Sequence, residues 1–401
     1  MKQFNPMQYL AIDIANNFGL DKLNYEDRIN WVKTNIDKLE QYQESAEEPL
    51  LYYKSVRALR DALAGKAINH SVAFDSACSG LQLMSVLMRC KSGCEITGLI
   101  DPNNRKDAYT LITERMNGIL KANDIDGIVI SRKEAKEAVM TGLYGSLAVP
   151  KRIFGKELLP YFYQALEEMC QGAMQLLDML RASWDSYAYV HYWVLPDGHT
   201  AYVPVTEVIE TRIEISELGY KPVVTFTANN PKDKGISNIA NVVHSIDAYV
   251  LRSLVRRCNY NKSQINRFLE MSLFPKYKDI DLTIESIKRY LKTGLVDIST
   301  IQEINIKNIV YYPTEMINEL RRICKMVLTH KPFEIICIHD SFACHPNNMN
   351  QLRMHYNEIL AELSDSQVID DILQQLYGDD DYVERGESIS KYIRNSNYGI
   401  C

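Results

Sequence analysis

Apolar residues recur at helical spacing through most of the first seventy positions. Ile29, Trp31, Val32 and Ile36 follow the acidic opening Tyr25-Glu26-Asp27-Arg28, which predicts an amphipathic helix capped by Asn24. A second helix is expected from about Leu50 to Leu63, ending near Gly65. The period then changes. Ser71 to Phe74 is a short β-prone run that ends in one carboxylate, Asp75, and Ser76 to Gly80 are small, turn-tolerant residues. From Leu81 the apolar spacing is helical again. This order puts Asp75 at the carboxyl end of a strand, where a carboxylate faces a ligand or solvent instead of a core.

Pro102 is expected to open a helix running through Asp107, Tyr109, Ile112 and Met116 to Leu120. Asn123, Asp124 and Gly127 form a turn before Ile128-Val129-Ile130, and Ser131 caps a helix starting at Arg132. After a long helical region over 156–185, the pattern from Tyr187 to Val194 alternates like a strand. Pro196-Asp197-Gly198 is a turn, and a further strand is expected at Val223 to Thr227. Helix returns over 238–258. Residues 259–313 are rich in lysine and isoleucine and read as an insertion of unassigned role. A helix from Thr314 to Thr329 precedes the apolar run Phe333 to Ile338. The chain reverses at His339-Asp340-Ser341-Phe342, and Pro346 to Leu363 is helical. Many helices and few antiparallel strands make an α+β protein.

With 401 residues the chain has room for two or three core-bearing units at roughly 150 residues each. A hydrophobic content of 46% with 24% charged residues is that of an ordinary globular chain. No apolar run approaches the ~20 residues needed to span a bilayer, and Met1 to Tyr9 is too polar for a secretory signal, so no membrane partner is expected. The nine cysteines lack a C-x-x-C pair, which argues against structural zinc and for a reducing cytoplasm. The net charge of −6 argues against a basic footprint over the whole chain. Local clusters exist: Arg132, Lys133 and Lys136; Lys151, Arg152 and Lys156; Arg252, Arg256 and Arg257. Each by itself reads as a solvated helix face.

The chemistry gathers at four places. Asp75 alone is most simply a turn aspartate. Arg132, Lys136, Met140 and Tyr144 drift by roughly 40° per step on a helix and share one broad face. Two cations, a thioether and a phenol beside Gly145 suit a nucleoside triphosphate, with charge for phosphates and softer groups for base and sugar. The plain alternative is a solvated helix end above ordinary core. Asp340 ends an apolar strand at a hairpin tip, where a polar turn would be the plain reading. Two strands of one sheet could join Asp75 to Asp340, and paired carboxylates sharing magnesium ions are what phosphoryl transfer needs. The fourth is His244, which as a lone helical histidine reads as a packed or capping residue. Tyr377-Gly378-Asp379-Asp380 follows the helical pattern Val368, Ile369, Ile372, Leu373 and Leu376 and precedes Asp381, so it reads as a solvated helix-ending loop.

In order along the chain, these segments resemble the phage-type single-subunit RNA polymerases, the T-odd phage and mitochondrial transcription enzymes. Phe74-Asp75-Ser76-Ala77-Cys78-Ser79-Gly80-Leu81-Gln82 is similar to the first metal motif of that family. The run from Arg132 through Lys136, Val139, Met140, Thr141 and Tyr144-Gly145-Ser146 resembles its fingers-helix motif, and Ile338-His339-Asp340-Ser341-Phe342 its second metal motif. Val194 to Gly198, Val243-His244-Ser245 with Asp247, and Ala15-Asn16 with Gly19, Asp21-Lys22 and Arg28-Ile29 resemble further family segments, and Tyr398 to Cys401 its C-terminal foot. Ser76 departs from the usual glycine, and Leu83 stands where histidine is frequent.

The resemblance implies a right-hand polymerase with an antiparallel palm sheet and a largely helical fingers subdomain. Palm would span 1–120, fingers 121–258, the insertion 259–313, and the rest of the palm with the foot 314–401. Asp75 and Asp340 would coordinate two Mg2+ ions with the Ser76 carbonyl as an extra ligand. Arg132 and Lys136 would hold the triphosphate, Tyr144 would sense the ribose 2′-hydroxyl, and His244 would touch the growing duplex and sugar. Partners would be DNA template, RNA product and NTPs in a host bacterial cytoplasm. The N-terminal domain and a T/D-x-x-G-R palm segment of the family have no counterpart. That implies a second polymerase subunit supplying the N-terminal part, as in a two-subunit (N-four-type) phage enzyme whose larger C-terminal subunit this chain resembles. A promoter-reading hairpin would fall at about 210–236; its compactness implies an accessory promoter or single-stranded-DNA-binding factor. A DNA polymerase of the same superfamily and an inactive nucleic-acid-binding scaffold are the alternatives.

Overall fold

Helices frame three small antiparallel sheets in the computed structural model, which describes residues 1–125, 127–228, 237–273, 278–378 and 383–401. Helices α1 (Pro6–Ala15), α2 (Tyr25–Thr34) and α3 (Pro49–Leu63) precede strand β1 (Val72–Asp75). Next come α4 (Ser79–Leu87), α5 (Lys91–Ile96), α6 (Ala108–Ala122), α7 (Arg132–Gly142) and α8 (Ala148–Ala182), the last interrupted at Gly155 and Cys170. Two hairpins follow, β2 (Val190–Val194) with β3 (Thr200–Pro204) and β4 (Glu207–Arg212) with β5 (Val223–Ala228). Then α9 (Ser237–Cys258), α10 (Lys262–Met271), α11 (Glu285–Thr293) and α12 (Thr314–Val327) lead to β6 (Ile336–Ile338) and β7 (Ser341–Cys344). Helices α13 (Met349–Asp365), α14 (Val368–Tyr377) and α15 (Ser390–Asn395) close the order. Among the described residues no helix is long and apolar enough to cross a membrane.

Several expected boundaries move, each for a local reason. Asn24 precedes α2 but its side chain makes no cap bond there; its Oδ1 instead accepts from the Arg105 N–H at 2.7 Å. The helix expected from Pro102 starts at Ala108. Asp101 takes the N–H groups of Asn103 (2.9 Å) and Asn104 (3.2 Å) in a local turn, and Asp107 is the cap of α6, accepting from Tyr109 N. The strand expected from Tyr187 starts at Val190, since Asp185 accepts from the Tyr187 N–H (2.9 Å) and holds a turn. Of the run Phe333 to Ile338 only the last three residues are strand, because the Phe333 N–H is spent on the Cys258 carbonyl at the end of α9 (2.9 Å).

The central sheet has the order β1-β7-β6. Phe74 lies opposite Phe342 and Asp75 opposite Ser341. The period of two sends Val72, Phe74, Phe342 and Cys344 into the core and leaves Ala73 and Asp75 outward. Behind the sheet Tyr25 stacks on Phe74 (5.7 Å between ring centroids) and on Tyr398 (4.8 Å). The other edge of β1 is covered by Ile400, which bridges Ser76, and by Cys401, whose N–H donates to the Asp75 carbonyl (2.9 Å). The foot segment is thus a sheet neighbour of the first motif.

Arg252, Arg256 and Arg257 do not form a solvated face. Asp197 in the Pro-Asp-Gly turn is almost fully buried and accepts from Arg252 (2.6 and 3.0 Å) and Arg256 (3.0 Å); Arg256 also reaches the buried Asp297 (2.9 Å). Arg257 is fully buried against Glu362 of α13. The three arginines therefore strut α9 to the β2–β3 turn, to the segment after α11 and to α13. Trp193, also buried, donates from Nε1 to Ser245 Oγ (2.9 Å) and pins the same hairpin to α9. Arg152 and its neighbours Lys151 and Lys156 are exposed, as a solvated face should be.

A second, smaller core runs from Tyr260 through Ile287 and Ile309 to Val327, joining α10, α11 and α12. The β4–β5 ribbon is uncovered on both sides. Ile209 faces Phe226 and Thr211 faces Val224, and the alternation continues to Ile215 opposite Tyr220, so one face is largely apolar, with Glu207 and Thr211 as its polar members. Glu210, Arg212, Glu214 and Lys221 lie on the other face. Residues 229–236, the end of the expected promoter-reading hairpin, lie outside the described residues, as do Asp379, Asp380 and Asp381. Tyr377 ends α14, and Gly378 adopts φ 80° as its left-handed cap.

A histidine pair links buried His355 of α13 to half-buried His330 in the loop after α12: His330 Nε2 and His355 Nε2 are 2.8 Å apart. His330 Nδ1 lies 2.8 Å from the Lys331 carbonyl and must donate there, which leaves its Nε2 to accept from His355. Burial lowers both pKa values, His355 well below the usual range. The unfolded chain takes up protons below pH ~6.5 that the folded chain refuses, so stability should fall as pH drops through that value, by up to about 1.4 kcal/mol per pH unit from His355 alone. Urea unfolding at pH 7 and 5.5 should show this loss in the native protein and a smaller one in His355→Gln; equal pH dependence of the two would remove the pair as its source.

Candidate active site

A cavity of about 920 Å³ opens over the outward face of the central sheet. Its floor is laid by backbone pairing. The Ser76 N–H donates to the Asp340 carbonyl at 3.0 Å, tying the residue after one acid to the other acid itself. Asp340 reaches this position through a tight β6–β7 turn in which Ile338 pairs with Ser341 and His339 takes φ 54°, a left-handed value that few non-glycine residues adopt. Asp75 and Asp340 both line the cavity. Neither side chain has a hydrogen bond or ion pair among the described residues. Ser76 is buried, donating to Gln82 Oε1 (2.9 Å) and accepting from Tyr356 OH (3.2 Å), so its side chain serves the core. Beyond it Cys78 adopts φ 61° and opens α4.

The opposite wall is α7. Ser131 and Glu134 form a capping box that fixes its first turn. Arg132, Lys136, Met140 and Tyr144 all line the cavity, as the helical spacing predicts, although Tyr144 lies just beyond the last helical residue. Gly145 is not in the lining; with φ 93° and its N–H on the Gly142 carbonyl (2.9 Å) it turns the chain after Tyr144. The Tyr144 phenol lies against Gly80: a Cβ there would stand 2.8 Å from its hydroxyl oxygen, so a larger residue would have to push the phenol aside. Burial raises the Tyr144 pKa against a hydrogen bond from the Ser79 side chain. His244, exposed on α9, lies outside the lining but packs its ring on Tyr144 at 4.8 Å and 38°. One turn along α9, Asp247 faces Asp340; burial first and then that carboxylate push its pKa up to about 6, with His339 opposing.

The lining also holds residues to which sequence reasoning gave no site role, among them Lys22, Arg105, Asp107 and Tyr109. Asp107 accepts from Arg132 Nε at 2.6 Å, and the Tyr109 ring lies under both cations, 5.6 Å from the Arg132 guanidinium and 5.8 Å from Lys136 Nζ. Burial would raise the Asp107 carboxyl, but the Arg132 and Thr110 hydrogen bonds outweigh it and hold it below the usual range. Asp107 and Tyr109 had only helix periodicity to signal them, because their partner stands in another element. Among the described residues no three His, Cys, Asp or Glu side chains cluster closely enough to hold a metal by themselves. Asp75 and Asp340 are a two-carboxylate donor set, which suits Mg2+, an ion that keeps several waters and completes its shell with substrate phosphates.

Residues 3–153, which contain β1 and α7, match the family described as DNA-dependent RNA polymerase. The DNA-directed RNA polymerase of Pseudomonas phage phiKMV is 24% identical over 303 residues, 60% of this chain and 37% of that one. T7 RNA polymerase of Escherichia phage T7 is 23% identical over 339 residues, 62% and 38% of the two chains. The mitochondrial DNA-directed RNA polymerase 1 of Arabidopsis thaliana is 28% identical over 170 residues, 35% and 17%. The chain thus spans well under half the length of these relatives. Over residues 3–153, where β1 with Asp75 and the cationic helix α7 face one cavity, the chain is similar to the phage-type single-subunit RNA polymerases.

Proposed function

We propose that the chain carries the catalytic centre of a DNA-directed RNA polymerase, adding nucleotides from NTPs to an RNA 3′ end on a DNA template. The observation that carries this reading is the pair of uncommitted carboxylates, Asp75 and Asp340, facing Arg132, Lys136 and Tyr144 across one cavity. Asp75, Asp340 and the Ser76 carbonyl would hold two Mg2+ ions; when bound, these supply charge stabilisation for the attacking and leaving oxygens. Arg132 and Lys136 bind and orient the triphosphate. Tyr144, wedged between Gly80 and His244, presents its hydroxyl to the sugar, and His244 faces the duplex side. In the right-hand description, 1–120 and 314–401 make the palm, 121–258 the fingers, and 259–313 an insertion.

Primer extension on single-stranded DNA with NTPs against dNTPs tests the reading; absence of NTP incorporation with the natural partner present overturns it. Tyr144→Phe removes one hydroxyl contact of about 1 kcal/mol, so NTP over dNTP preference should fall roughly fivefold to tenfold. Unchanged dNTP rejection would remove that role.

The second polymerase subunit rests on the sequence resemblance, and co-purification followed by rate comparison with and without the partner tests it. Full-rate transcription by the chain alone would count against it. An accessory factor at the promoter is supported by the β4–β5 ribbon. Its uncovered apolar face and its four glutamates against one arginine and one lysine suit a protein surface better than a phosphate backbone. A gel shift of duplex promoter by the two-subunit enzyme alone would count against that factor.

A further inference from the structure

Four cations line the cavity: Lys22, Arg105, Arg132 and Lys136. Two are neutralised, Lys22 by Asp21 and Arg132 by Asp107, while Lys136 lies over the Tyr109 ring. Arg105 differs from all three. It sits in the loop between the Asp101 turn and the Asp107 cap, with its backbone tied to Asn24 Oδ1. One guanidinium nitrogen donates to the adjacent Lys106 carbonyl. Its Nε is buried without a hydrogen-bond partner, and among the described residues no carboxylate lies within ion-pair distance. The neighbouring Lys106 is paired with Asp101 at 3.4 Å. Of the carboxylates in the lining, Asp21 and Asp107 are each held by another cation.

A guanidinium stays charged at any physiological pH, and a half-buried one with an unmet donor is costly unless an anion reaches it. Its planar fork matches two phosphate oxygens at once. Arg105 also precedes by two residues the aspartate that holds Arg132, so both arginines are positioned by one loop. We infer that Arg105 binds the polyphosphate tail of the nucleotide, as a third cation beside Arg132 and Lys136. This rests on the nucleotide-polymerase reading of the same cavity. The Asp107 carboxylate holds Arg132 in place before the tail arrives, and Arg105 supplies charge that no carboxylate among the described residues cancels.

The test is calorimetric titration of the full chain with inorganic tripolyphosphate, alongside steady-state primer extension with the natural partner. Arg105→Gln should weaken tripolyphosphate binding about tenfold and raise the NTP KM by a similar factor, with kcat within about twofold. A merely structural Arg105 would lower Tm and leave tripolyphosphate affinity unchanged; that result in folded Arg105→Gln overturns the inference. Should Arg105→Gln not fold, Arg105→Lys carries the test: charge without the fork should cost roughly threefold in affinity, and native affinity overturns the inference. If the native chain extends primers and the variants bind and turn over normally, Arg105 is excluded and the polymerase reading stands. If the native chain binds tripolyphosphate through Arg105 but incorporates no NTP, the polymerase reading falls and the anion site stands.

Discussion

Asp340→Asn is expected to stop nucleotide addition and leave the protein folded. The amide keeps the shape of the carboxylate, and what Asp340 contributes to the fold comes from its backbone, whose carbonyl accepts from Ser76. Its side chain makes no hydrogen bond or ion pair among the described residues, so thermal unfolding should be unchanged. The lost charge should cost about 4 kcal/mol of transition-state stabilisation, roughly a thousandfold in rate. Asp75→Asn should behave alike, since Asp75 also spends only its backbone on the fold, accepting from the Cys401 N–H. Single-nucleotide extension together with a melting curve separates rate from stability. Activity within tenfold of native in either variant would end the two-carboxylate assignment.

Arg257→Ala is expected to do the reverse, unfolding the protein before it touches the chemistry. Arg257 lies on α9 with Nη1 and Nη2 on the two oxygens of Glu362, at 3.0 and 2.5 Å. Burial pushes the Glu362 pKa up against the pull of Arg257, and the bidentate geometry favours the charged pair. Arg322 of α12 adds a second contact to Glu362 (2.5 Å) and one to Glu358 (2.8 Å). Removing Arg257 leaves a buried carboxylate with half its partners, a change worth about 3 kcal/mol or more. Urea unfolding measures it directly. A loss below about 1 kcal/mol is what a solvated surface pair gives and would show that the strut does not hold α9 to α13. In Arg257→Met with Glu362→Leu, where no charge remains to be buried, much of the loss should be recovered.

The second experiment turns on a residue whose meaning differed between sequence and structure. Arg252, Arg256 and Arg257 look alike as a basic run, yet each has a buried carboxylate partner, and those partners are 41 to 105 residues away. A charge run carries no information about distant aspartates, so a surface reading was the natural one. Asp107 and Tyr109 were invisible as site residues for the same reason: their partners, Arg132 and Lys136, stand in the next helix.

What the sequence by itself determined is local and periodic. The strand ending at Asp75, the capped helix from Ser131, the shared face of Arg132, Lys136, Met140 and Tyr144, and the turn at His339-Asp340 follow from spacing and turn chemistry within a few residues. The tertiary structure decided which of these face one another. The β1–β7 pairing and the Ser76-to-Asp340 hydrogen bond bring Asp75 and Asp340 to one floor, Ile400 and Cys401 close the far edge of β1, and Arg105 is left in the cavity without a counter-ion among the described residues. The stretch from Ser71 onward therefore supplies one acid and the turn that presents it. The second acid, and the cations opposite, come to it only through long-range backbone pairing and packing, which no local pattern encodes.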